Sequence, residues 1–485
     1  MTFSQTPYSK LSIRKEGANA VNKKCIEQAL DWDIANLSAT IRKKEISPVE
    51  ITEKMLERIT EKNEHINAYI TVTKDLAMKQ AKTAEKEIVN GNYKGPLHGI
   101  PIALKDNIYT KNIKTTMGSE IFKDYSPSYD ATVVKKLADA GSILLGKLNM
   151  HEFAYGTTGD RSYFGPVKNS YDHSKISGGS SSGSGAAVAD SLCYASLGTD
   201  TGGSVRIPSA FNGIVGMKPT FGRVSNQGVF PLGWTLDHVG PMTKTVYDNA
   251  LLLSVLSGYD PKDPYSKKTS AKDFTIALED KLENFVIGVP TNAFFDVGDE
   301  EVKKSFQQAI TTFKQLGCQV RKVDLPDLDV IIDAFRTVLT NEAYTIHEER
   351  LQKYPNQWDD EVKNRLLGTT DEKATDYIGA QQVKQRSIRE FTNLFLEIDI
   401  ILTPTVPILP FEIGQREVSM NGETIHSSLV LNKFTGLFNL LGFPSLSLPS
   451  YLASTKAPVG IQLIGAPFTE EKIYQVASHF EKALG

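Results

Sequence analysis

The sequence predicts an α/β fold: a single large domain built on a central mixed, mostly parallel twisted sheet, with helices covering both faces. Three observations carry that expectation. Short apolar runs of strand character interleave with segments of helical periodicity from about residue 95 to the end. A complete strand–helix–strand pattern lies mid-chain. With 485 residues, 40% of them hydrophobic, the chain has enough apolar surface for one elaborated core, and two lobes are the alternative.

Residues 1–30 read as a loose N-terminal arm and 31–485 as the domain, with its chemistry concentrated in 95–225. Ser47-Pro48-Val49-Glu50 is a capping box with proline at the first helical position, and Val49, Met55, Leu56 and Ile59 supply the apolar stripe behind it. Ile100 to Leu104 forms a short buried strand, Thr132 to Ala140 a helix closed by Gly141, and Ser142 to Leu145 the next strand. The strand–helix–strand unit runs from Phe285–Val289, through a helix bearing Val302, Phe306, Ile310 and Phe313, to Cys318–Val323. Strands at Asp399–Leu402 and Val459–Ile464 follow, and a helix from Thr469 ends the pattern. Asp260 to Lys281, rich in Lys, Asp, Ser and Pro, reads as an exposed linker.

Charge is nearly balanced. Lys and Arg number 54 against 57 Asp and Glu, a net of −3, which argues against nucleic acid as partner and for a small molecule. Cys25, Cys193 and Cys318 are too scattered for a disulfide framework, as suits a reducing compartment. The first thirty residues resemble neither a signal peptide nor an anchor, and no run of eighteen apolar residues occurs. These observations predict a cytoplasmic protein with no membrane contact; a homodimer is one admissible assembly.

Two glycine-rich runs dominate the chemistry: Gly178-Gly179-Ser180-Ser181-Ser182-Gly183-Ser184-Gly185 and Gly198-Thr199-Asp200-Thr201-Gly202-Gly203-Ser204. Each sets a serine against backbone without side-chain obstruction, as acyl transfer requires of a nucleophile and its oxyanion donors. The first run could instead cradle phosphate or simply turn, but no G-K-[ST] follows and no G-x-G-x-x-G opens a helix. The second could be a tight turn after the strand Tyr194–Leu197. None of the eight histidines stands in a hydrolase elbow or a metal-binding pair, so a structural or surface role is the expectation for each, and no metal or cofactor is implied. A lysine can serve as base if burial keeps it neutral. Lys105, at the end of an apolar strand, meets that demand; Lys147 in Gly146-Lys147-Leu148 is its nearest decoy.

The ordered motifs G-I-P-x-x-x-K-D-N, G-G-S-S-x-G-S-x-A-A-V-A and G-x-D-T-G-G-S-x-R-x-P resemble the amidase signature family, serine hydrolases with a Ser–cis-Ser–Lys triad. The resemblance extends from about Trp32 to the C-terminus. It implies Ser204 as the acyl-forming nucleophile, Ser180 as the bridging cis-serine and Lys105 as the neutral general base, with Ser180 preferred over Ser181 and Ser182 because it directly follows Gly178-Gly179. It further implies an oxyanion hole from backbone around Thr201, Gly202, Gly203 and Ser204. Ser181, Asp200 and Arg206 become site support, and Ala154, Tyr155, Gly156 and Thr157 a wall of the substrate pocket.

The implied activity is hydrolysis of the C–N bond of a carboxamide to an acid and ammonia or amine, through an acyl-serine. A stand-alone amidase is the first reading. The second is the glutaminase subunit of a tRNA-dependent glutamyl/aspartyl amidotransferase, which passes ammonia to a partner. Where those subunits carry a glutamine-binding aspartate, this sequence has Asn432 beside Lys433, which favours the first. A catalytically idle scaffold on the same fold is the third. Phe221, Phe230 and Trp234 are candidates for an apolar acyl tunnel, with core packing the competing role.

Overall fold

The computed structural model describes residues 26–485 apart from 293, 294, 296, 370 and 421. Cys25 and most of the expected arm therefore lie outside the described residues. The arm's last stretch does not hang loose: Ile26, Ala29 and Leu30 are buried in the main core.

Eleven strands form one sheet in the order β1-β3-β2-β4-β6-β5-β12-β13-β9-β7-β8. In chain order these are β1 Tyr69–Val72, β2 Pro101–Lys105, β3 Ile143–Leu148, β4 Ala195–Asp200, β5 Val215–Lys218, β6 His238–Thr243, β7 Val286–Pro290, β8 Gln319–Val323 and β9 Ile400–Pro404. A separate hairpin, β10 Glu417–Met420 with β11 Glu423–His426, precedes β12 Ser445–Pro449 and β13 Gly460–Gly465. The sheet is mixed, as the sequence predicts. Parallel pairings occupy the two wings, β3-β2-β4 and β9-β7-β8, while the centre from β4 to β9 is antiparallel throughout. The wings are the parts built by helical crossovers, which parallel neighbours need and antiparallel ones do not.

Local chemistry explains the elements around the site. Ser47 accepts the amides of Val49 and Glu50 while the Glu50 carboxylate accepts the Ser47 amide, completing the capping box of helix Pro48–Ile66. Helix Thr132–Asp139 ends beside Gly141, whose φ of +82° admits the left-handed turn into β3. Two large apolar clusters pack around the sheet, one with helices Pro48–Ile66, Val246–Leu256 and Glu470–Leu484, the other with Leu328–Lys353 and Gly436–Leu441. Asp260, first residue of the expected linker, is instead buried and receives the hydroxyls of Thr132 and Ser225 at 2.6 and 2.7 Å. Asp263, Phe274 and Leu278 in the same stretch are buried as well, so the segment is pinned to the core at several points.

Candidate active site

Lys105 is the last residue of β2 and is wholly buried. Its Nζ lies 2.7 Å from Ser180 Oγ and 2.7 Å from Thr199 Oγ1. Asn107, two residues on, also donates to Thr199 Oγ1 at 3.2 Å and so steadies the lysine's partner. Burial withdraws water from the ammonium and pulls Lys105 down to about 7, against the opposing pull of the Asp237 and Asp200 carboxylates. Lys147 is equally buried, but its amine is spent on Ile108 O, Thr115 Oγ1 and the Asp106 carboxylate.

The Gly179–Ser180 peptide is cis. Gly179 donates to Thr157 O at 2.7 Å and Ser180 O accepts from His151 N at 3.1 Å, so the bridging-serine segment is stitched to residues 151–157. A Cβ at Gly179 would stand 2.8 Å from Gly159 N, a separation that excludes any larger residue. Ser181 N donates to Ser204 O at 3.2 Å, which brings the two glycine-rich runs together. Ser181 Oγ donates to Thr199 O at 3.1 Å, tying the same loop to β4.

Ser204 opens onto a cleft of about 300 Å³. Behind it Asp200, with no exposed surface, accepts Val205 N at 3.1 Å and a forked contact from Arg206, Nε at 3.0 Å and Nη2 at 2.9 Å. Arg206 holds the Asp200 carboxyl far below the usual carboxylate range despite its burial. The guanidinium then reaches Asn439 Oδ1 at 2.6 Å, Gln462 Oε1 at 2.5 Å and Thr435 O at 3.2 Å, so every face of it is engaged.

Thr201, Gly202 and Ser204 line the cleft, as do Ala154, Tyr155, Gly156 and Thr157. Gly203 departs from its expected oxyanion role: its amide donates to Asp200 Oδ1 at 2.7 Å, and it does not line the cleft. With φ +125° and Thr435 Oγ1 2.3 Å from where a Cβ would sit, the position accepts only glycine. Phe221, Phe230 and Trp234 form no tunnel at the cleft, in keeping with the commoner packing role of such aromatics. Phe230 packs in the core against Phe122, Phe153 and His347, Phe221 packs against His238 and Tyr265, and Trp234 is 40% exposed. The cleft's apolar wall comes instead from Leu232, Phe335, Leu339 and Leu429.

Sequence reasoning did not find Arg336, Arg365, Thr199, Asn439 or Gln462. Only Thr199 had a local signal, its place inside the second glycine-rich run at the end of β4. Among the described residues no Asp or Glu lines the cleft, whereas Arg336 and Arg365 do, with Asn432 beside them. Among the histidines, His151 abuts the pocket wall, but burial pushes it down to about 3, which leaves it neutral and unsuited to general-base work near neutrality. Among the described residues no cluster of three or more His, Cys, Asp or Glu could hold a metal ion, and no helix is long and apolar enough to cross a membrane.

A buried lysine bonded to a cis-linked serine, on a loop whose backbone joins that of a second serine at the cleft, is an arrangement suited to acyl transfer. The chain belongs to the amidase family, whose model, described as amidase, matches residues 50–474. One glutamyl-tRNA(Gln) amidotransferase subunit, from Geobacter sp. (strain M21), is 38% identical over 479 residues, covering 94% of this chain and 98% of the relative. A crystal structure of an amidase superposes with a TM-score of 0.84 at 33% identity, covering 94% of this chain and 100% of the other. A chain from a vestigial complex tied to the origins of an s-triazine catabolic enzyme gives a TM-score of 0.89 at 29% identity, over 93% of this chain and 98% of that one. The curated relatives stand closer to the second of the two readings, the amidotransferase subunit, than to the stand-alone amidase.

Proposed function

We propose that this amidase works through a Ser204 nucleophile, a Ser180 relay and a Lys105 base. With the amine neutral, the 2.7 Å contact runs from the Ser180 hydroxyl to the lysine lone pair. Ser180 then takes the proton of Ser204 as that oxygen attacks the amide carbon, and the relay returns a proton to the nitrogen when the C–N bond breaks. Ammonia or an amine leaves and acyl-Ser204 remains. Water attacks the ester by the same route, releasing the acid and restoring the Ser204 hydroxyl. The amides of Thr201, Gly202 and Ser204 are the donors that hold the tetrahedral oxyanion, each worth on the order of 10²–10³ in rate. The observation that carries this reading is the buried Lys105–Ser180 contact, with the amine drawn down to about 7.

For the physiological role, the relatives named as amidotransferase subunits support an ammonia-releasing glutaminase that works with partner subunits. One observation favours a stand-alone amidase instead. Among the described cleft residues an α-ammonium group would find no carboxylate, while Arg336 and Arg365 suit a substrate with an anionic or neutral acyl part. The deciding experiment measures ammonia release from glutamine and from glutaramate, which lacks the α-amino group, by the purified chain alone and with the partner subunits added. Glutamine turnover only in the presence of partners supports the amidotransferase role; partner-independent turnover that prefers glutaramate supports the free amidase. No ammonia under any condition overturns both.

A further inference from the structure

Asp237, one residue before β6, is a buried carboxylate that the relay above does not use. Its Oδ1 accepts the Thr201 hydroxyl at 2.6 Å. Its Oδ2 accepts the amides of Leu232 at 2.9 Å and Gly233 at 3.2 Å. Thr201 belongs to the loop that carries Ser204, and Leu232 to the apolar wall, and both line the cleft. One side chain therefore joins the oxyanion side of the cleft to its substrate wall. The Asp237 carbonyl is itself held by Asn226 Nδ2 at 2.8 Å, and the following residue, His238, pairs with Asp200 across β6 and β4. The carboxylate is thus anchored from the strand that backs the catalytic loop.

We infer that Asp237 is a positioning residue of this active site, setting the Thr201 end of the oxyanion loop and the Leu232 wall in one geometry. The inference rests on the Ser204–Ser180–Lys105 reading. A short bond from a hydroxyl to a carboxylate is among the stronger neutral-to-ion contacts, and a loop displaced by a fraction of an ångström no longer aims its amides at a developing oxyanion.

The same carboxylate acts at a distance on the base. Its negative charge favours the protonated form of Lys105, and of the carboxylates around the lysine it exerts the largest such pull, ahead of Asp200. Burial in turn lifts Asp237 to about 6, with the Thr201 and amide hydrogen bonds opposing and the Glu342 charge adding to the rise. The charged groups around it are Lys105 on β2, Asp200 at the end of β4 with its partner Arg206, and Glu342 on helix Leu328–Lys353. Lys384 of helix Ala374–Leu394 lies near Glu342 and donates to Thr235 O; His238 on β6 is kept neutral by burial. Because Lys105 must be neutral to accept a proton, removal of the Asp237 charge shifts the acid limb of the rate profile to lower pH.

The test uses the full-length enzyme with whichever of glutamine or glutaramate the wild type turns over faster. Asp237→Asn is expected to lower kcat/KM about tenfold to a hundredfold, with the loss mainly in kcat, and to move the acid limb down by about half a pH unit or more. Thr201→Val removes the other end of the contact, and the double variant is expected to fall no further than the worse single one. Wild-type kcat/KM and an unmoved limb in Asp237→Asn overturn the inference, as does full additivity in the double variant. If Asp237→Asn does not fold, Thr201→Val decides: an unchanged kcat overturns the inference and a loss in kcat alone upholds it. Labelling of Ser204 by a fluorophosphonate separates the two levels, since an active Ser204→Ala enzyme would sink the underlying triad whatever Asp237 does.

Discussion

Arg365 donates from Nη1 to the carbonyl of Tyr155 at 2.8 Å, with its guanidinium 5.2 Å from the Tyr155 ring centroid. Helix Asp360–Leu367 and the pocket wall 152–157 are thereby joined at one end, and Glu152 Oε2 joins them at the other by accepting Asp359 N at 2.9 Å. Glu361 balances part of the Arg365 charge at 3.0 Å. The Tyr155 hydroxyl is buried and has no hydrogen-bond partner among the described residues, which leaves a donor at the cleft. Arg365→Met should raise KM for glutaramate by about tenfold or more while sparing benzamide, which has no distal anion to lose. Parallel KM measurements on the two amides check this; equal losses would mean that Arg365 serves the wall alone.

Lys105 titrates near 7 in the folded protein because burial disfavours its cation. Activity should therefore rise with pH through about 7 and fade below it, as the base becomes protonated. The stability sign follows separately. The folded form binds the proton less tightly than the unfolded chain, so below the unfolded pKa this lysine weakens the fold, and the penalty shrinks as pH rises. Lys105→Met should abolish turnover and stabilise the protein by roughly 1–2 kcal/mol at neutral pH. A pH–rate profile and a pair of thermal melts test the two halves independently.

Gly203 and Gly317 make a controlled comparison, since both have positive φ, +125° and +90°. An added Cβ meets Thr435 Oγ1 at Gly203 and nothing within 4 Å at Gly317. Gly317→Ala should lose only about 1 kcal/mol and keep full activity. Gly203→Ala should lose more stability than that and reduce kcat by at least a hundredfold, because Asp200 and the Ser204 loop must both shift. Denaturant midpoints alongside kcat for the two variants make the measurement.

Glu152 is raised to about 7 by burial, so its ionised form is the unfavourable one in the folded state. The folded protein binds this proton more tightly than the unfolded chain, and stability must fall as pH climbs from the unfolded value of 4.5 through about 7. Glu152→Gln keeps an acceptor for Asp359 N and removes the titration. The variant should match the wild type at pH 5 and exceed it by on the order of 1–3 kcal/mol at pH 8. Melting curves at the two pH values decide it, and a constant difference would place the titration elsewhere.

How much of this was legible in the chain depends on the distance over which each signal acts. β2, β3 and the β7–helix–β8 unit were readable because periodicity records burial within one segment. The antiparallel centre was not, since that same periodicity says nothing of a neighbour's direction. In the site, Lys105, Ser180, Asp200 and Ser204 stand in dense local motifs. The groups that brace Arg206, namely Thr435, Asn439 and Gln462, come from unremarkable segments more than two hundred positions away. Gly203 misled because a glycine beside a nucleophile suggests an open amide, and only the fold reveals that the Asp200 carboxylate claims it.

The grip of Gln462 and Asn439 on Arg206 makes the catalytic loop dependent on the last strand and the helix before β12. During synthesis Arg206 is made more than two hundred residues before these partners. Loss of the segment that holds Asn439 and Gln462 should therefore leave Arg206 unbraced and cost the Ser204 loop its aim.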